Sequence, residues 1–239
     1  EGGRGSAGNR RINSALVAAQ FALSLILLIG TGLLLKSFAR LQAVNPGFNP
    51  EQTLTMSAAL PREKYDKPEK ALQFYRSAME RLRNAPGIQA IGFTTSLPFA
   101  SDGNADGIII EGHEPPAGSS LTEIEQGILQ NVTPGLFQAL GIPLLQGRDF
   151  QETDNETSQP VAIIDEPLAR RYWPNGDAMG KRIETTGDQQ WMTIVGIVSG
   201  VNNNSLAEEK QPHLYRPMLQ SPAPRAYLAI RTNGAPMSV

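Results

Sequence analysis

An uninterrupted apolar segment near the N-terminus, from Ala15 to Leu35, most constrains how this chain can fold. The segment has no charged residue, and Gln20 is its only strongly polar side chain. As a helix it would be roughly 30 Å long, which matches the hydrocarbon thickness of a bilayer. Because a helix satisfies its own backbone hydrogen bonds, the segment can lie in lipid. We therefore predict a transmembrane helix over residues 13–36, with the lipid bilayer as its first partner.

Two other structures compete with a membrane span for this segment. A helix buried in a globular core usually carries a polar face, and this segment is apolar all round. A cleaved signal peptide would use Arg10 and Arg11 as its basic region and Ser37 to Ala39 as its cleavage site. Signal cores are shorter, at about 7–15 residues, so the length favours a retained span.

The charges that flank the segment predict its orientation. More positive residues precede it than follow it: Arg4, Arg10 and Arg11 against Lys36 and Arg40. The positive-inside rule then makes residues 1–12 a cytoplasmic tail and places the rest of the chain outside. The helical pattern continues to Val44, so residues 37–48 are predicted to form a stalk, which Asn45-Pro46-Gly47 ends.

Composition excludes several classes of function for the remaining residues. The net charge of −2 gives no broad basic surface, so no nucleic acid partner is expected. The absence of cysteine excludes disulfides, thiolate metal sites and a cysteine nucleophile. The chain begins with Glu1 rather than Met and ends in an unfinished-looking segment, so we expect a fragment of a longer polypeptide.

Patterning after the stalk predicts a mixed α+β domain over residues 49–239. Alternation at Leu54, Met56 and Ala58 favours a strand, and the apolar stripe of residues 68–84 favours a helix. A strand over 88–97 completes a strand–helix–strand unit. Further elements are predicted as helices at 133–140, capped by Thr133, and 166–173, and as strands at 108–111, 124–132, 160–164, 191–201, 214–218 and 226–231. Residues 102–106 are predicted to form a turn, 113–120 a loop, and 141–150 an extended segment.

Four segments, in order along the chain, resemble one family. They are QFALSLILLIGTGLLLKSFARLQAVNPGF (20–48), NVTPGLFQALGIPLLQGRDF (131–150), VAIIDEPLARRYWPNGDAMGKRI (161–183) and TIVGIVSGV (193–201). The chain resembles ABC transporter permeases of the MacB/FtsX/LolC type, and most closely the subgroup of acidobacterial duplicated orphan permeases. Together the four matches are far more specific than any one of them.

The resemblance implies a MacB-like periplasmic core domain of two lobes. A porter-like strand–helix–strand lobe would comprise residues 51–100 and 202–239, and a Sabre-like lobe, residues 101–201, would be inserted into it. The family has further transmembrane helices, so the last strands would lack partners that missing sequence supplies. The resemblance also implies a cytoplasmic ABC ATPase as partner, a dimer with a second permease or permease half, a periplasmic partner, and a place in the bacterial inner membrane.

Motifs that suggest catalysis or ligand binding are incomplete. The segment from Gly176 to Arg182 has the wrong glycine spacing for a phosphate loop and lacks the Ser or Thr after Lys181, so a tight turn is expected. The pattern Asp102-x-Asn104-x-Asp106-Gly107 matches half of a calcium loop, but His113 stands where the closing Glu should be. A polar turn is therefore expected there.

Other candidate residues favour structural roles. Neither His113 nor His213 has metal-like spacing with another ligand. Asp165-Glu166 fits the capping of a helix start. The apolar residues Phe93, Leu97 and Phe99 could line a cargo-facing surface, but packing in the core is the better interpretation. The tryptophans, Trp173 and Trp191, are interpreted as anchors in the core or at an interface between lobes. The acidic residues Glu152, Asp154 and Glu156 fit a solvated face.

The sequence therefore predicts a non-enzymatic permease subunit with no catalytic, cofactor-binding or metal-binding residues. By the family resemblance, a separate cytoplasmic ATPase would hydrolyse ATP, and the helix and stalk would carry its motion to the periplasmic domain, which the family calls mechanotransmission. The alternative is a membrane-anchored extracytoplasmic sensing or interaction domain without transport. A membrane-tethered hydrolase would need a convergent acid/base or nucleophile set, which the sequence does not offer.

Overall fold

The structure is a computed structural model that describes residues 6–61, 63–100, 103–113, 124–203, 205–206 and 210–234. By its internal contacts the chain divides into two units, Glu1–Asn45 and Pro46–Val239. Asp102 of the calcium-like pattern and most of the predicted loop over 113–120 lie outside the described residues.

The first unit is built on one long helix, α1 (Ser6–Gln42). Residues Ser14–Gln42 include an 18-residue window with a mean hydropathy of 2.1 and form a helix long and apolar enough to cross a membrane. Large apolar side chains such as Phe21 and Leu28 are exposed along it. The helix runs through the predicted span into the predicted stalk and ends at Gln42 rather than at Val44.

The second unit combines short helices with many strands. In chain order its elements are β1 (Thr53–Ala59), α2 (Pro68–Arg83), β2 (Ile88–Thr94), β3 (Asn104–Ile110), β4 (Glu125–Val132), α3 (Leu136–Leu140), β5 (Leu144–Gly147), β6 (Val161–Asp165), α4 (Glu166–Tyr172), β7 (Arg182–Thr185), β8 (Met192–Val198), β9 (His213–Pro217) and β10 (Arg225–Thr232). One N-terminal helix followed by a mixed helix and strand domain confirms the predicted α+β class.

Strands β1, β10 and β2 form the first part of the sheet. The strand β10 lies between β1 and β2 and is antiparallel to both. Helix α2 packs on this sheet through a stripe that includes the buried Tyr75 and Met79. Pro68 begins the helix, where its missing N–H has no helical partner to lose. This arrangement is the predicted strand–helix–strand unit with a late strand added in its centre.

Six of the other strands close on themselves, and β5 pairs with one of them, β8. Along the pairings β4–β3, β3–β7, β7–β8, β8–β6 and β6–β9 the sheet curves until β9 pairs in parallel with β4. We call these strands the ring. Each ring strand contributes to one apolar cluster, which α4 completes with Leu168 and Trp173. A ring closed in this way leaves few unpaired strand edges among the described residues.

A second apolar cluster joins the first sheet to the ring. Helix α3 supplies Leu136 and Phe137, and Ala90, Ile163 and Tyr215 come from β2, β6 and β9. Helix α3 lies so close to β2 that a Cβ on Gly92 would be 2.4 Å from the Cα of Leu136. Glycine at this position therefore permits the close packing of helix on strand.

The last strands differ from one prediction. The expectation that they lack partners is wrong, because β10 pairs with β1 and β2, and β9 pairs with β4 and β6. The predicted boundary at residue 202 precedes β9, which pairs within the ring, and β10, which pairs within the first sheet. The division into lobes at residues 101, 201 and 202 stays a prediction.

Two local predictions are also corrected, and one observed strand had no prediction. The predicted turn over 102–106 is partly a strand, since Asn104 begins β3. Thr133 is not the cap of α3, because Gly135 occupies that position and the Thr133 hydroxyl accepts a hydrogen bond from the backbone N–H of Phe93 instead. The strand β7 was not predicted, because its short alternation is hidden between turns.

Candidate functional site

Residues 46–53, which follow α1 in sequence and lead into β1, are bound tightly to the rest of the second unit, and we call them the anchor segment. The backbone N–H of Asn202 donates to the carbonyl of Pro46 over 2.8 Å, and the N–H of Asn49 donates to the carbonyl of Leu140 over 2.9 Å. The anchor segment is therefore tied by its backbone to two distant parts of the chain.

Gly47 lets the anchor segment approach the chain after β8. Its φ is +88°, and a Cβ placed on it would lie 2.1 Å from the carbonyl oxygen of Gly200. Both the backbone angle and the contact require glycine. The next residue, Phe48, packs against the cluster around α3, and its ring centroid is 6.1 Å from that of Phe99. A cavity of about 200 Å³ lies beside Phe48 and is also lined by Leu97 and Leu140.

Arg231 of β10 joins the anchor segment to α3. Its Nη2 donates to the carbonyl of Asn49 over 2.9 Å, and its Nη1 donates to the carbonyl of Glu51 over 3.2 Å. Its Nε donates to the carbonyls of Gln138 and Ala139 over 3.1 Å each. The planar guanidinium can serve acceptors on two sides at once, which an ammonium group cannot. One side chain therefore connects β10, the end of α3 and the anchor segment.

The segment Gly147 to Phe150, part of the second family match, has a structural role. Arg148 forms a two-pronged ion pair with the buried Asp154, at 2.7 and 2.8 Å. This bond raises the pKa of Arg148. Asp149 accepts hydrogen bonds from the N–H groups of Gly135 and Phe150, while burial raises the pKa of its carboxyl group. The segment thus holds the start of α3 in place.

The acidic residues of the loop after this segment differ in exposure. Glu152 pairs with Arg83 at 3.1 Å and Glu156 pairs with Arg76 at 3.6 Å, with all four side chains about half exposed. Asp154 is buried, so the prediction of a solvated face is wrong for this residue. Its ion pair with Arg148 offsets the cost of burying its charge.

The segment that superficially resembles a phosphate loop is a turn, as predicted. Gly176 and Gly180 have φ values of +83° and +78°. The N–H of Gly180 donates to the carbonyl of Ile194, and the N–H of Ile194 donates to the carbonyl of Lys181, each over 2.9 Å. These bonds hold the turn against β8 and use backbone groups that a phosphate would otherwise contact.

Two described residues of the half calcium loop, Asn104 and Asp106, lie in the strand β3. Asp106 lies in β3 and accepts hydrogen bonds from the N–H of Gly107 and the hydroxyl of Thr186, at 2.8 and 2.7 Å. The Asp106 carboxylate thus joins β3 to the residue that follows β7. Within the described ranges no group of three or more His, Asp or Glu side chains has the arrangement of a metal site.

The two histidines have different environments. His113 is exposed, with its ring 6.2 Å from that of Tyr172. His213 is buried in β9, where its Nδ1 lies 2.8 Å from the carbonyl of Gln211 and 3.2 Å from Oδ2 of Asp165. The other oxygen of Asp165 accepts from the N–H of Leu168 and caps α4, which confirms the predicted capping. This buried pair joins β9 to α4.

The other apolar candidates divide between core and surface. Phe93 and Leu97 are buried in core clusters, as predicted, whereas Phe99 is 48% exposed. Trp173 is a core residue of the ring, and Trp191 is half-buried with the guanidinium of Arg182 over its ring at 5.7 Å. Sequence reasoning missed Arg231, since its acceptors are backbone carbonyls that no motif marks.

A helix long and apolar enough to cross a membrane, followed by a folded α+β unit, is the arrangement of a membrane-anchored domain. Residues 14–234 match the family model of the MacB-like periplasmic core domain. The chain belongs to this family, whose members are domains of ABC-type permeases. No curated protein matches it.

Two solved structures resemble this chain over most of its length. The periplasmic region of MacB from Actinobacillus actinomycetemcomitans has 17% identity and a TM-score of 0.48, covering 81% of this chain and 79% of that one. The extracellular domain of the noncanonic ABC-type transporter YknZ from Gram-positive bacteria has 14% identity and a TM-score of 0.46, covering 77% of this chain and 84% of that one.

Proposed function

We propose that this chain is part of a permease subunit that couples ATP hydrolysis by a separate cytoplasmic ATPase to work in the periplasm. The coupling is mechanical: the ATPase moves the transmembrane helices, and the motion reaches the extracytoplasmic domain through α1 and the anchor segment. Family membership, the apolar helix and the anchor segment support this proposal. The work is export or the handling of lipoproteins or peptides.

The hydrogen bonds of Arg231 are the observation that carries the proposal. A segment that transmits motion must be fixed to the body that it moves, or its motion is lost in a flexible joint. Arg231 fixes Asn49 and Glu51 to α3, and the Asn202 to Pro46 bond fixes the start of the segment. Helix α1 is continuous from Ser6 to Gln42, so it can act as a stiff element.

The proposal includes partners and a place. The subunit works in the inner membrane as a dimer with a second permease or permease half, beside its ATPase, and engages a periplasmic partner. The symmetry of a dimer would let one ATPase pair move two extracytoplasmic domains together. Assignment to the acidobacterial subgroup stays a prediction from sequence.

The test breaks the stiff connection and leaves the domain folded. A Gly-Gly insertion after Ser37, or Leu41→Pro, is introduced into the parent permease reconstituted with its ATPase in proteoliposomes. These 239 residues contain no cysteine, so in a parent permease whose other cysteines are replaced a single cysteine at the exposed Glu80 can carry a fluorophore that reports motion of the domain. We expect ATP hydrolysis to continue while the ATP-dependent fluorescence change is lost.

A Gly-Gly insertion at the exposed turn after Gly176 is the matched control, and it should preserve the fluorescence change. An unchanged response in the Ser37 and Leu41 variants would contradict mechanical coupling through α1. A response that requires no ATPase at all would favour the sensing domain instead.

A further inference from the structure

Helix α2 leaves part of the first sheet uncovered, and a groove lies between the helix and β1. Across the sheet Met56 pairs with Leu228, and Leu228 pairs with Phe93, so these three side chains form one cross-strand row. Phe93 is buried under α2, whereas Met56, at the other end of the row, is 57% exposed. The floor of the groove therefore runs from core to solvent without a polar side chain in this row.

The helix contributes a second apolar wall. Phe74 and Ala78 lie on the side of α2 that faces β1, and they pack only partly against the core cluster below the helix. Phe74 also contacts Tyr65 and Tyr75 through edge-on rings with centroids 5.7 and 5.5 Å apart. The groove has a volume of about 870 Å³, within the range of small-molecule sites.

The charged residues that line the groove are all positive. They are Lys64, Lys70 and Arg81, and no described lining residue is acidic. Lys70 is already paired with Asp66 over 2.6 Å. Lys64 lies over the ring of Tyr65 at 5.5 Å, so its stem follows the apolar surface and its ammonium group stays at the rim. An occupant that complements this surface is apolar along its length and anionic at one end.

We propose that the groove binds a long-chain fatty carboxylate, with the acyl chain on the Met56–Leu228–Phe93 row and the carboxylate at Lys64 or Arg81. A single chain suits the dimensions better than a partner helix does. A helix is roughly 10–12 Å across, so about two turns of it would fill this volume. Two turns are too short for a helix to form stably and to present a repeating apolar face to the groove. Binding at this groove does not require the ATPase, so this proposal can hold or fail independently of the proposed mechanical coupling.

The test uses the full chain in phosphatidylcholine nanodiscs and a photoactivatable fatty carboxylate. We expect the label on peptides that contain Met56 and Phe74, with loss of label when unlabelled palmitate competes. The double variant Lys64→Gln with Arg81→Gln should weaken binding about fivefold, because it removes both cations that can pair with the carboxylate at the exposed rim. Met56→Glu should reduce labelling as well, since it places a negative charge on the floor.

The matched control is Arg76→Gln with Arg83→Gln, which also removes two positive charges, from positions of α2 that do not line the groove. Its labelling should equal that of the unmodified chain. Equal labelling by the matching fatty alcohol, or equal labelling of the Lys64 and Arg81 variant, would overturn the proposal. Cross-linking of Met56→Cys chains to each other, with labelling absent, would overturn it in favour of a second copy as occupant.

Discussion

The guanidinium Nη2 of Arg231 donates a hydrogen bond to the backbone carbonyl of Asn49, a residue 182 positions earlier in the chain. The bond connects the last strand of the domain to the segment that leads out of the membrane helix. Because β10 lies between β1 and β2, the bond ties the anchor segment to the centre of the first sheet. The anchor is thus part of the fold rather than a flexible tether.

Replacing Arg231 tests this relationship. Arg231→Met keeps the apolar stem and removes every donor, leaving the carbonyls of Asn49, Glu51 and the α3 end without this partner. We expect a loss of about 2 kcal/mol in the free energy of unfolding and a fall in Tm of about 4–8 °C. The stability of Arg231→Lys should lie between that of Arg231→Met and that of the unmodified chain, because one ammonium group cannot reach the carbonyls of both α3 and the anchor segment.

Tryptophan fluorescence of the full chain during thermal unfolding measures this loss. Both tryptophans, Trp173 and Trp191, lie in the second unit, so the signal reports that unit alone. Arg225→Met, on the exposed start of the same strand, is the control and should leave Tm within about 2 °C. If Arg231→Met had the same Tm as the unmodified chain, Arg231 would not be what holds the anchor segment in place.

Gly47 provides a second test of the anchor. A Cβ there would meet the carbonyl oxygen of Gly200 at 2.1 Å, and the residue also needs a φ of +88°. Gly47→Ala should therefore cost about 2–4 kcal/mol, the sum of backbone strain and the displacement of a packed backbone. Gly176→Ala is matched in φ, at +83°, but its Cβ would meet nothing within 4 Å.

The comparison separates the close contact from the backbone angle. Gly176→Ala should lose only about 1 kcal/mol, since strain is its one penalty. Urea denaturation followed by tryptophan fluorescence gives both values. Equal losses for the two variants would mean that the chain near Gly200 moves aside and that the anchor is loosely packed.

The sequence was most informative where a pattern is local. Helix α2 was predicted over 68–84 and is observed over Pro68–Arg83, because its proline start and apolar stripe are both sequence-local. The capping role of Asp165 was predictable for the same reason. The family resemblance supplied the identity, since its four segments follow one another in order over most of the chain.

Pairing between distant strands was not predictable. The turn at 102–106 was wrong because Asn104 gains a partner, Leu129, that only the ring provides. Thr133 was expected to cap a helix, yet its hydroxyl bonds Phe93 on a neighbouring strand. Arg231 carries no signature at all, since an arginine in a late strand looks the same whether its acceptors are water or carbonyls.

Asp165 should prove important for the ring. One of its oxygens caps α4 through the N–H of Leu168, and the other faces Nδ1 of the buried His213. Asp165→Ala removes both interactions and should cost about 3 kcal/mol. Asp165→Ser should recover about 1 kcal/mol of this, because serine can still cap the helix.

Denaturation curves again give the measurement. The neighbouring Glu166→Ala is the control: its ion pair with Arg170, at 2.6 Å, lies at the surface and should be worth less than about 0.5 kcal/mol. If Asp165→Ser were no more stable than Asp165→Ala, the contribution of the cap would be negligible and the pair with His213 would account for the whole effect.

Ionisation of Tyr75 should lower the stability of the second unit at alkaline pH, and a single substitution can test this. Its hydroxyl donates to the carbonyl of Ala223 over 2.6 Å, and burial raises its pKa from 10.0 to about 12. Above pH 10 the unfolded phenol ionises while the folded one stays protonated, so the stability that Tyr75 contributes is complete below pH 10 and is lost towards pH 12. Tyr75→Phe should be less stable than the unmodified chain by about 1 kcal/mol at neutral pH, and this difference should shrink above pH 10 and change sign before pH 12.

Tyr172 and Tyr215 also have raised pKa values, but both proteins keep them, so the difference between two urea titrations isolates Tyr75. Curves that stay parallel from neutral pH to pH 12 would contradict a buried, protonated Tyr75.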